Sequence, residues 1–334
     1  MMKKIKYPKN PQFIDLTNYP ALKGNWDFSC SKLSNLNERL NEKIKSTDVA
    51  IVVAGSYGRL DACVESDLDY MILTEKPNGG TAEIKGQLIE IATEIGIPMP
   101  NATGVFSEVI PITEMIERTG SKDDSIASLA QRMLLLMESR PIYNEQLYRD
   151  VVARILRKYL AFVIENTSKE ALFFLNDIIR YFRTICVNYE FNFWKEEDKW
   201  VMRNVKLRHS RIVMYAGLLL LVLNSSKHTE DDDDKWAYLS TRIELSPLEK
   251  IAHVYKDNRD HSVNRVLSIY DVFLRKISNP ELRKALRIDY DERYKSPDYI
   301  EMKVTSDALQ TELTRFIFAQ KGRWTEQVLE YLIF

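Results

Sequence analysis

The spacing of apolar positions in the first third of the chain predicts a small α+β core. The runs Val49–Ala54 and Leu68–Thr74 are short, apolar and bounded by turn residues, so each predicts a strand. Apolar residues recur at helical spacing within 81–96, and the run at 104–112 predicts a third strand. Strand, strand, helix and strand in this order are typical of an α+β domain.

The segment before this core predicts an irregular arm followed by one helix. Residues 1–30 contain three prolines and little periodicity, which predicts the arm. Ser31 is a suitable cap for a helix whose inward positions are spaced by three and four residues. These positions are Leu33, Leu36, Leu40 and Ile44.

From about residue 113 the strand signals almost vanish and helical periodicity takes over. The predicted helices cover 123–139, 145–165, 169–193, 199–225, 246–256, 261–277, 280–287, 304–319 and 324–333. The acidic run Asp231–Asp234 is predicted to be a solvated loop between two of them. The sequence thus predicts an N-terminal arm and helix over 1–46, a mixed-sheet core over 47–118 and a large helical domain over 119–334.

Composition narrows the class of protein. The 334 residues carry 47 Lys and Arg against 48 Asp and Glu, so the net charge of −1 excludes a strongly basic nucleic-acid binder. Three scattered cysteines and four unpaired histidines argue against a disulfide framework or a zinc site. The longest apolar run, Ile212–Leu223, is too short to cross a bilayer, and no signal peptide is evident. We therefore expect a cytoplasmic protein without membrane partners.

The candidate chemistry lies where the two predicted strands are joined. Gly55-Ser56 follows the first strand, and Asp67 and Asp69 stand at i and i+2 on the second. Side chains at i and i+2 of a strand point to the same face, so the two carboxylates project together. Close carboxylates repel unless a cation lies between them, and oxygen-only ligands suit Mg²⁺ or Mn²⁺.

The Gly-Ser turn fits a phosphate beside such a metal ion. Gly55 permits close approach of the backbone, and the backbone N–H groups and the Ser56 hydroxyl can donate to phosphate oxygens. Arg59 offers a further cation nearby. Together these residues predict a nucleoside-triphosphate site for metal-assisted transfer.

The string GSYGRLDACVESDLDYMIL resembles the DNA polymerase beta-type nucleotidyltransferases, nearest to the PII-uridylyltransferase-like branch. The similarity covers roughly residues 49–150, and it implies a third carboxylate on a later strand. Glu108 is the best candidate, although the family usually has Asp there. Glu114 is a poorer candidate because it follows Pro111. The hydrolase domain of that branch carries a His-Asp pair, and no such dipeptide occurs here.

The resemblance also implies roles for these residues. Asp67 and Asp69 would hold the metal ion on the β- and γ-phosphates. Asp69 and Glu108 would hold a second ion beside the attacking hydroxyl, with Glu108 also acting as its general base. In two-domain relatives a Lys and a Ser of the helical domain reach the triphosphate, which points to Lys206 and Ser210. An ordinary cationic surface on a buried helix stays open as the other interpretation.

The sequence leaves the acceptor and the turnover open. A protein side chain is favoured as acceptor, while an RNA or tRNA 3′ end or a small molecule also fits. The alternative functions are a catalytically silent nucleotide-binding module and a helical interaction scaffold. His209 and Ser210 are adjacent on a predicted helix, so they point about 100° apart and do not form a nucleophile–base pair. The oligomeric state is not encoded in any motif.

Overall fold

The computed structural model divides the chain into two compact units. One unit consists of Met1–Pro11 with Gly24–Phe162, and the other of Gln12–Lys23 with Val163–Phe334. The residues described are 3–76, 80–100, 106, 108–161, 171–191, 199–228, 232–320 and 324. The three-part division predicted from the sequence stays a prediction.

The first unit is built on a mixed sheet, and the predicted α+β class is confirmed. Four strands of the described residues form it: β1 (Val49–Val53), β2 (Tyr70–Thr74), β3 (Glu108–Pro111) and β4 (Arg140–Tyr143). Their order is β3-β2-β1-β4. Strand β1 pairs antiparallel with both β2 and β4, whereas β2 and β3 are parallel. Every residue of β1 and β2 is buried, which explains why both sequences are continuously apolar instead of alternating.

Helix α1 (Pro20–Lys43) begins in the second unit with residues 20–23 and continues in the first unit. The other helices of the first unit are α2 (Gly55–Arg59), α3 (Thr81–Glu94), α4 (Ile112–Glu117), α5 (Ile126–Glu138) and α6 (Glu145–Leu160). The predicted arm over 1–30 is wrong in its last third, because α1 begins at Pro20 and not after Ser31. Proline fits the first helical position, where its missing N–H would have no partner in any case. Trp26, buried on this helix, donates its indole N–H to the Pro8 carbonyl at 2.9 Å.

Strand β4 was not predicted. Its sequence, RPIY, contains Pro141, and a proline argues against a strand because it cannot donate to the ladder. The strand nevertheless forms at the end of the strand order, where it pairs with β1, and the register shifts between Ile51 and Val52. An edge position tolerates the missing donor.

The second unit is helical in its described residues. Its helices are α7 (Leu172–Phe191), α8 (Trp200–Lys206), α9 (Ile212–His228), α10 (Asp232–Ser240), α11 (Pro247–Asp257), α12 (Val263–Ile277), α13 (Pro280–Ala285) and α14 (Pro297–Ala319). Short 3₁₀ turns occur at Leu16–Asn18 and Tyr290–Lys295. None of the helices in the described ranges is long and apolar enough to cross a membrane.

Three predictions for this unit are corrected. The acidic run is not only a loop, because α10 begins at Asp232. The predicted helix 304–319 starts earlier, at Pro297, where the Ser296 hydroxyl accepts from the Tyr299 N–H. The single predicted helix 199–225 is instead α8, a π-helical turn over Leu207–Arg211, and α9. The helix predicted over 324–333 lies outside the described residues except for Trp324.

Candidate functional site

The Gly-Ser turn stands between the two central strands of the sheet. Strand β1 ends at Val53, and Ala54 leads directly into the single helical turn α2, which begins at Gly55. Ala54 has no polar side chain, so no side-chain hydrogen bond caps the start of α2. The first N–H groups of a helix have no partner within the helix, so those near Ser56 can serve a ligand. The Ser56 side chain is half-buried beside them.

Gly55 lies directly against the side chain of Asp69, in a left-handed backbone conformation that favours glycine. Gly55 has a φ of +60°, and a Cβ built on it would lie 2.3 Å from Oδ2 of Asp69. The two segments are also joined by their backbones, because the Ala54 N–H donates to the Asp69 carbonyl at 2.9 Å. The structure therefore brings together the turn and the second aspartate of the predicted motif.

A second glycine fixes the turn from its other side. A Cβ on Gly58 would lie 1.8 Å from the backbone oxygen of Glu138, the last residue of α5. Only glycine permits this contact between α2 and α5. The Gly-Ser turn is thus held between the segment that precedes β2 and the end of α5, and its shape is set by packing rather than by the loop alone.

The two aspartates lie just before β2 and not on it. Exposure alternates along this segment: Asp67 is exposed, Leu68 is buried, Asp69 is half-buried and Tyr70 is buried. The Leu68 N–H donates to the Pro98 carbonyl at 2.9 Å, which holds the segment extended. The alternation supports the prediction that both carboxylates project on the side away from Leu68.

Glu108 begins the strand parallel to β2. Glu108 pairs with Met71 in the parallel register. Side chains two residues apart on a strand point to the same face, so extending β2 back to Asp69 would put Asp69 on the face that carries Glu108. The Glu108 carboxylate is exposed and accepts from the Gln131 amide at 3.4 Å. Across the described part of the chain, no three His, Cys, Asp or Glu side chains form a ready metal-binding group. Glu108 as the third carboxylate therefore stays a prediction.

Arg59 is occupied by carboxylates. Its guanidinium pairs with Asp61 at 2.8 Å and with Glu138 at 2.5 Å, and only 8% of the side chain is exposed. The Glu138 side chain is fully buried. These two carboxylates neutralise the positive charge of the guanidinium, which would otherwise attract a phosphate. Arg59 therefore has a structural role that sequence reasoning missed, because Glu138 is 79 residues away.

Tyr57 is a further residue of the turn that the sequence did not indicate. Its ring is 1% exposed, and its hydroxyl has no hydrogen-bond partner among the described residues. Burial raises the pKa of Tyr57 above its ordinary value, with smaller contributions from the nearby Cys63 and Asp67. Its hydroxyl thus stays protonated and lies within electrostatic range of Asp67. No sequence signal distinguishes it from a core tyrosine.

Lys206 and Ser210 belong to the second unit. Lys206 directly precedes the π-helical turn and Ser210 lies within it, and the Ser210 hydroxyl donates to the Lys206 carbonyl at 3.0 Å. Ser210 is only 4% exposed, while Lys206 is half-buried. The structure thus links these two residues to each other. Their predicted approach to the Gly-Ser turn stays a prediction.

His209, between them, is a core residue. Its Nδ1 lies 2.8 Å from the Val205 carbonyl, and its ring stacks on Phe273 with 4.5 Å between centroids. This geometry agrees with the expectation that His209 and Ser210 do not form a nucleophile–base pair, because each side chain bonds to a different backbone carbonyl. Burial lowers the pKa of His209 to about 4, with the nearby Arg208 acting in the same direction.

This pKa predicts a loss of stability in acid. The unfolded chain binds a proton at His209 near pH 6.5, whereas the folded chain does so only near pH 4. The neutral ring therefore stabilises the fold fully above pH 6.5, and this contribution disappears as the pH falls from 6.5 to 4. We expect about 3 kcal/mol of unfolding free energy to be lost over that range. Urea titrations at several pH values should show that the unfolding free energy of His209→Gln depends less steeply on pH than that of the parent chain. Equal pH dependence in the two proteins would contradict the prediction.

The contact between Gly55 and Asp69 predicts that Gly55→Ala acts on both stability and the site. The methyl group must push the Asp69 carboxylate away, and the positive φ adds backbone strain. We expect a loss of about 1–3 kcal/mol in unfolding free energy. The matched variant Gly86→Ala places a methyl in open space on α3, so it should be neutral or stabilising by up to about 1 kcal/mol. Urea unfolding of both variants checks the contrast, and equal stabilities would refute it.

Comparison of the chain with known proteins finds no matching family model and no matching curated protein. The functional inference therefore rests on the geometry of these residues and on the motif they form.

Proposed function

We propose that this chain is a metal-dependent nucleotidyltransferase, which moves a nucleoside monophosphate from an NTP to an acceptor hydroxyl. The observation that carries the proposal is the contact between Gly55 and Asp69. It places a turn suited to phosphate directly beside a carboxylate suited to a cation.

The proposal also gives the two units their roles. The mixed sheet with the Gly-Ser turn would be the nucleotidyltransferase core. The helices after it would form the helical domain, which carries Lys206 and Ser210. Arg59 is not assigned to the phosphates, because Asp61 and Glu138 already neutralise its guanidinium.

The residues around the Gly-Ser turn indicate how the chain would act on the nucleotide. The backbone N–H groups around Ser56 and its hydroxyl would hold phosphate oxygens and orient the α-phosphorus for attack. Asp67, Asp69 and Glu108 have the all-oxygen donor chemistry that suits Mg²⁺ or Mn²⁺. When bound, the ion supplies positive charge to the triphosphate and lowers the pKa of the attacking hydroxyl.

In the proposed transfer, one bond to the α-phosphorus forms while another breaks. The acceptor oxygen forms a bond to the α-phosphorus, the bond from the α-phosphorus to the bridging oxygen breaks, and pyrophosphate leaves. The acceptor proton passes to the Glu108 carboxylate, which is exposed and can release it to solvent. The acceptor is proposed to be a protein side chain, with an RNA or tRNA 3′ end or a small molecule as the other chemistries that the core would accept.

A labelling assay tests this proposal. The full chain would be incubated with each α-labelled NTP, Mg²⁺ or Mn²⁺ and a cell extract, beside the variant Asp67→Ala/Asp69→Ala. Label on a protein, RNA or small molecule that vanishes in the variant would establish transfer and identify the base and the acceptor. NTP binding with neither label nor pyrophosphate would favour the silent nucleotide-binding module instead.

A further inference from the structure

One side of helix α14 is apolar although it is exposed. Among the residues that the structure describes, nine large apolar side chains are exposed, and three of them lie on this helix: Ile300, Val304 and Phe318. Val304 and Phe318 are 62% and 60% exposed. Successive residues of a helix are rotated by about 100°, so these three side chains lie within about 40° of one another. They form one stripe, and an exposed apolar stripe is typical of an interaction surface.

The residues beside this stripe are small at the centre and oppositely charged at the two ends. Ala308 is exposed, and the exposed Glu301 and Arg315 stand seven residues before it and seven residues after it. Seven residues are close to two helical turns, so the three side chains lie nearly in line, about 10 Å apart. Reversing the direction of the helix about Ala308 therefore exchanges the acidic end with the basic end.

The two charged residues remain accessible although each has a partner on its own chain. Arg315 pairs with Glu312 at 2.9 Å, and Glu301 pairs with Lys276. Both Arg315 and Glu301 are nonetheless exposed. A carboxylate accepts several hydrogen bonds and a guanidinium has five N–H donors, so each side chain can take a second partner.

A groove between α12 and α14 adjoins Ala308. Its volume is about 540 Å³, and its walls include Ile269 of α12 and Ala308, Thr311 and Glu312 of α14. With Arg315, these three α14 residues stand at positions i, i+3, i+4 and i+7. This is the spacing of a hole that receives one side chain from an opposing helix, and we call it the α14 hole. The small side chain of Ala308 lets an opposing backbone approach closely.

We propose that this face of α14 binds the same face of a second copy of the chain. The two helices are antiparallel, with a two-fold axis beside Ala308, so positions equally far before and after Ala308 meet. Glu301 of each copy meets Arg315 of the other, which gives two ion pairs. Val304 stands four residues before Ala308, and the α14 hole is centred between three and four residues after it. Val304 of each copy therefore enters the α14 hole of the other.

A second copy fits this face because the pattern is complementary to itself. A two-fold axis forms both ion pairs at once, whereas parallel helices would place Glu301 against Glu301 and Arg315 against Arg315. Each copy contributes one helix and one groove, so the interface is small and the dimer should dissociate on dilution. These residues belong to the second unit and none takes part in the proposed nucleotidyl transfer, so the two proposals can fail separately.

Analytical ultracentrifugation of the full chain tests the proposal. Over about 1–100 μM the average mass of the parent chain should rise from that of one chain toward that of two. In Arg315→Glu both interchain pairs become acidic, and in Glu301→Arg both become basic. We expect each variant alone to associate at least about 10-fold more weakly than the parent chain.

An equimolar mixture of Glu301→Arg and Arg315→Glu is the decisive sample. In the mixed dimer each pair again joins one acid with one base, so the mixture should associate like the parent chain. Misfolding of either variant cannot produce this recovery. A monomeric parent chain, parent-like association of the single variants, or a mixture no better than its components would overturn the proposal.

Arg118→Glu is the matched control for the charge reversal. Arg118 pairs with a nearby glutamate of its own chain at 2.8 Å, as Arg315 does, and the two arginine side chains are 47% and 44% exposed. This variant should associate like the parent chain, and weakened association would show that net charge alone controls the effect. If a charge variant does not fold, Val304→Asp should weaken association at least about 10-fold, and parent-like association would overturn the proposal.

Discussion

Asp69→Asn should lower the rate of nucleotidyl transfer at least ~10²-fold while leaving the protein folded. Asparagine keeps the shape of the side chain against Gly55 but removes the charge that would hold a divalent cation. The backbone bond from the Ala54 N–H to the carbonyl of residue 69 is untouched, so the turn should keep its position. The measurement is pyrophosphate release with the acceptor that the labelling assay identifies.

The control for this prediction is another aspartate of the same unit. Asp150 is exposed on α6, and Asp150→Asn removes an equal charge away from the Gly-Ser turn. Its rate should stay near that of the parent chain. A parent-like rate in Asp69→Asn, or an equal loss in both variants, would show that Asp69 has no specific part in transfer.

Glu138→Ala should lower the unfolding free energy by about 3–5 kcal/mol. The Glu138 carboxylate is fully buried and pairs with Arg59, whose guanidinium is nearly buried too. Removing the Glu138 carboxylate leaves the buried Arg59 guanidinium with one of these two carboxylate partners, Asp61. Since Arg59 is the last residue of α2, the loss should also loosen the Gly-Ser turn.

An exposed pair on the same unit provides the comparison. Arg154 and Glu75 are 2.7 Å apart, with about a third of each side chain exposed. Glu75→Ala should cost only about 0–1 kcal/mol, because solvent screens the pair. Urea unfolding of Glu138→Ala and Glu75→Ala compares the two losses in unfolding free energy. Similar costs would mean that Arg59 is not held by a buried network, and its assignment to phosphate would then be reopened.

The parts of this protein that could be predicted are those encoded locally. The strands β1 and β2 are continuous apolar runs, and burial on both faces is the reason for that pattern. The proximity of Gly55 and Asp69 follows from the pairing of adjacent strands, since Ala54 stands opposite Asp69 in the antiparallel ladder. The antiparallel pairing of two predicted strands was enough to place these residues together.

The parts that could not be predicted depend on distant residues or on exceptions to local rules. Glu138 determines what Arg59 does, yet 79 residues separate them. Strand β4 contains a proline, which only its pairing at the sheet edge makes acceptable. Helix α1 begins at Pro20, and a proline predicts the end of a helix unless it occupies the first helical position.

Binding of Mn²⁺ in the presence of a nucleotide can be measured without knowledge of the acceptor, so it tests directly whether this chain has a metal-dependent nucleotide site. Electron paramagnetic resonance would follow free Mn²⁺ as the full chain is titrated with a non-hydrolysable NTP analogue. We expect saturable binding of Mn²⁺ by the parent chain that is lost in Asp67→Asn/Asp69→Asn and retained in Asp150→Asn. Equal binding by the parent chain and the double variant, or no binding by the parent chain, would contradict it.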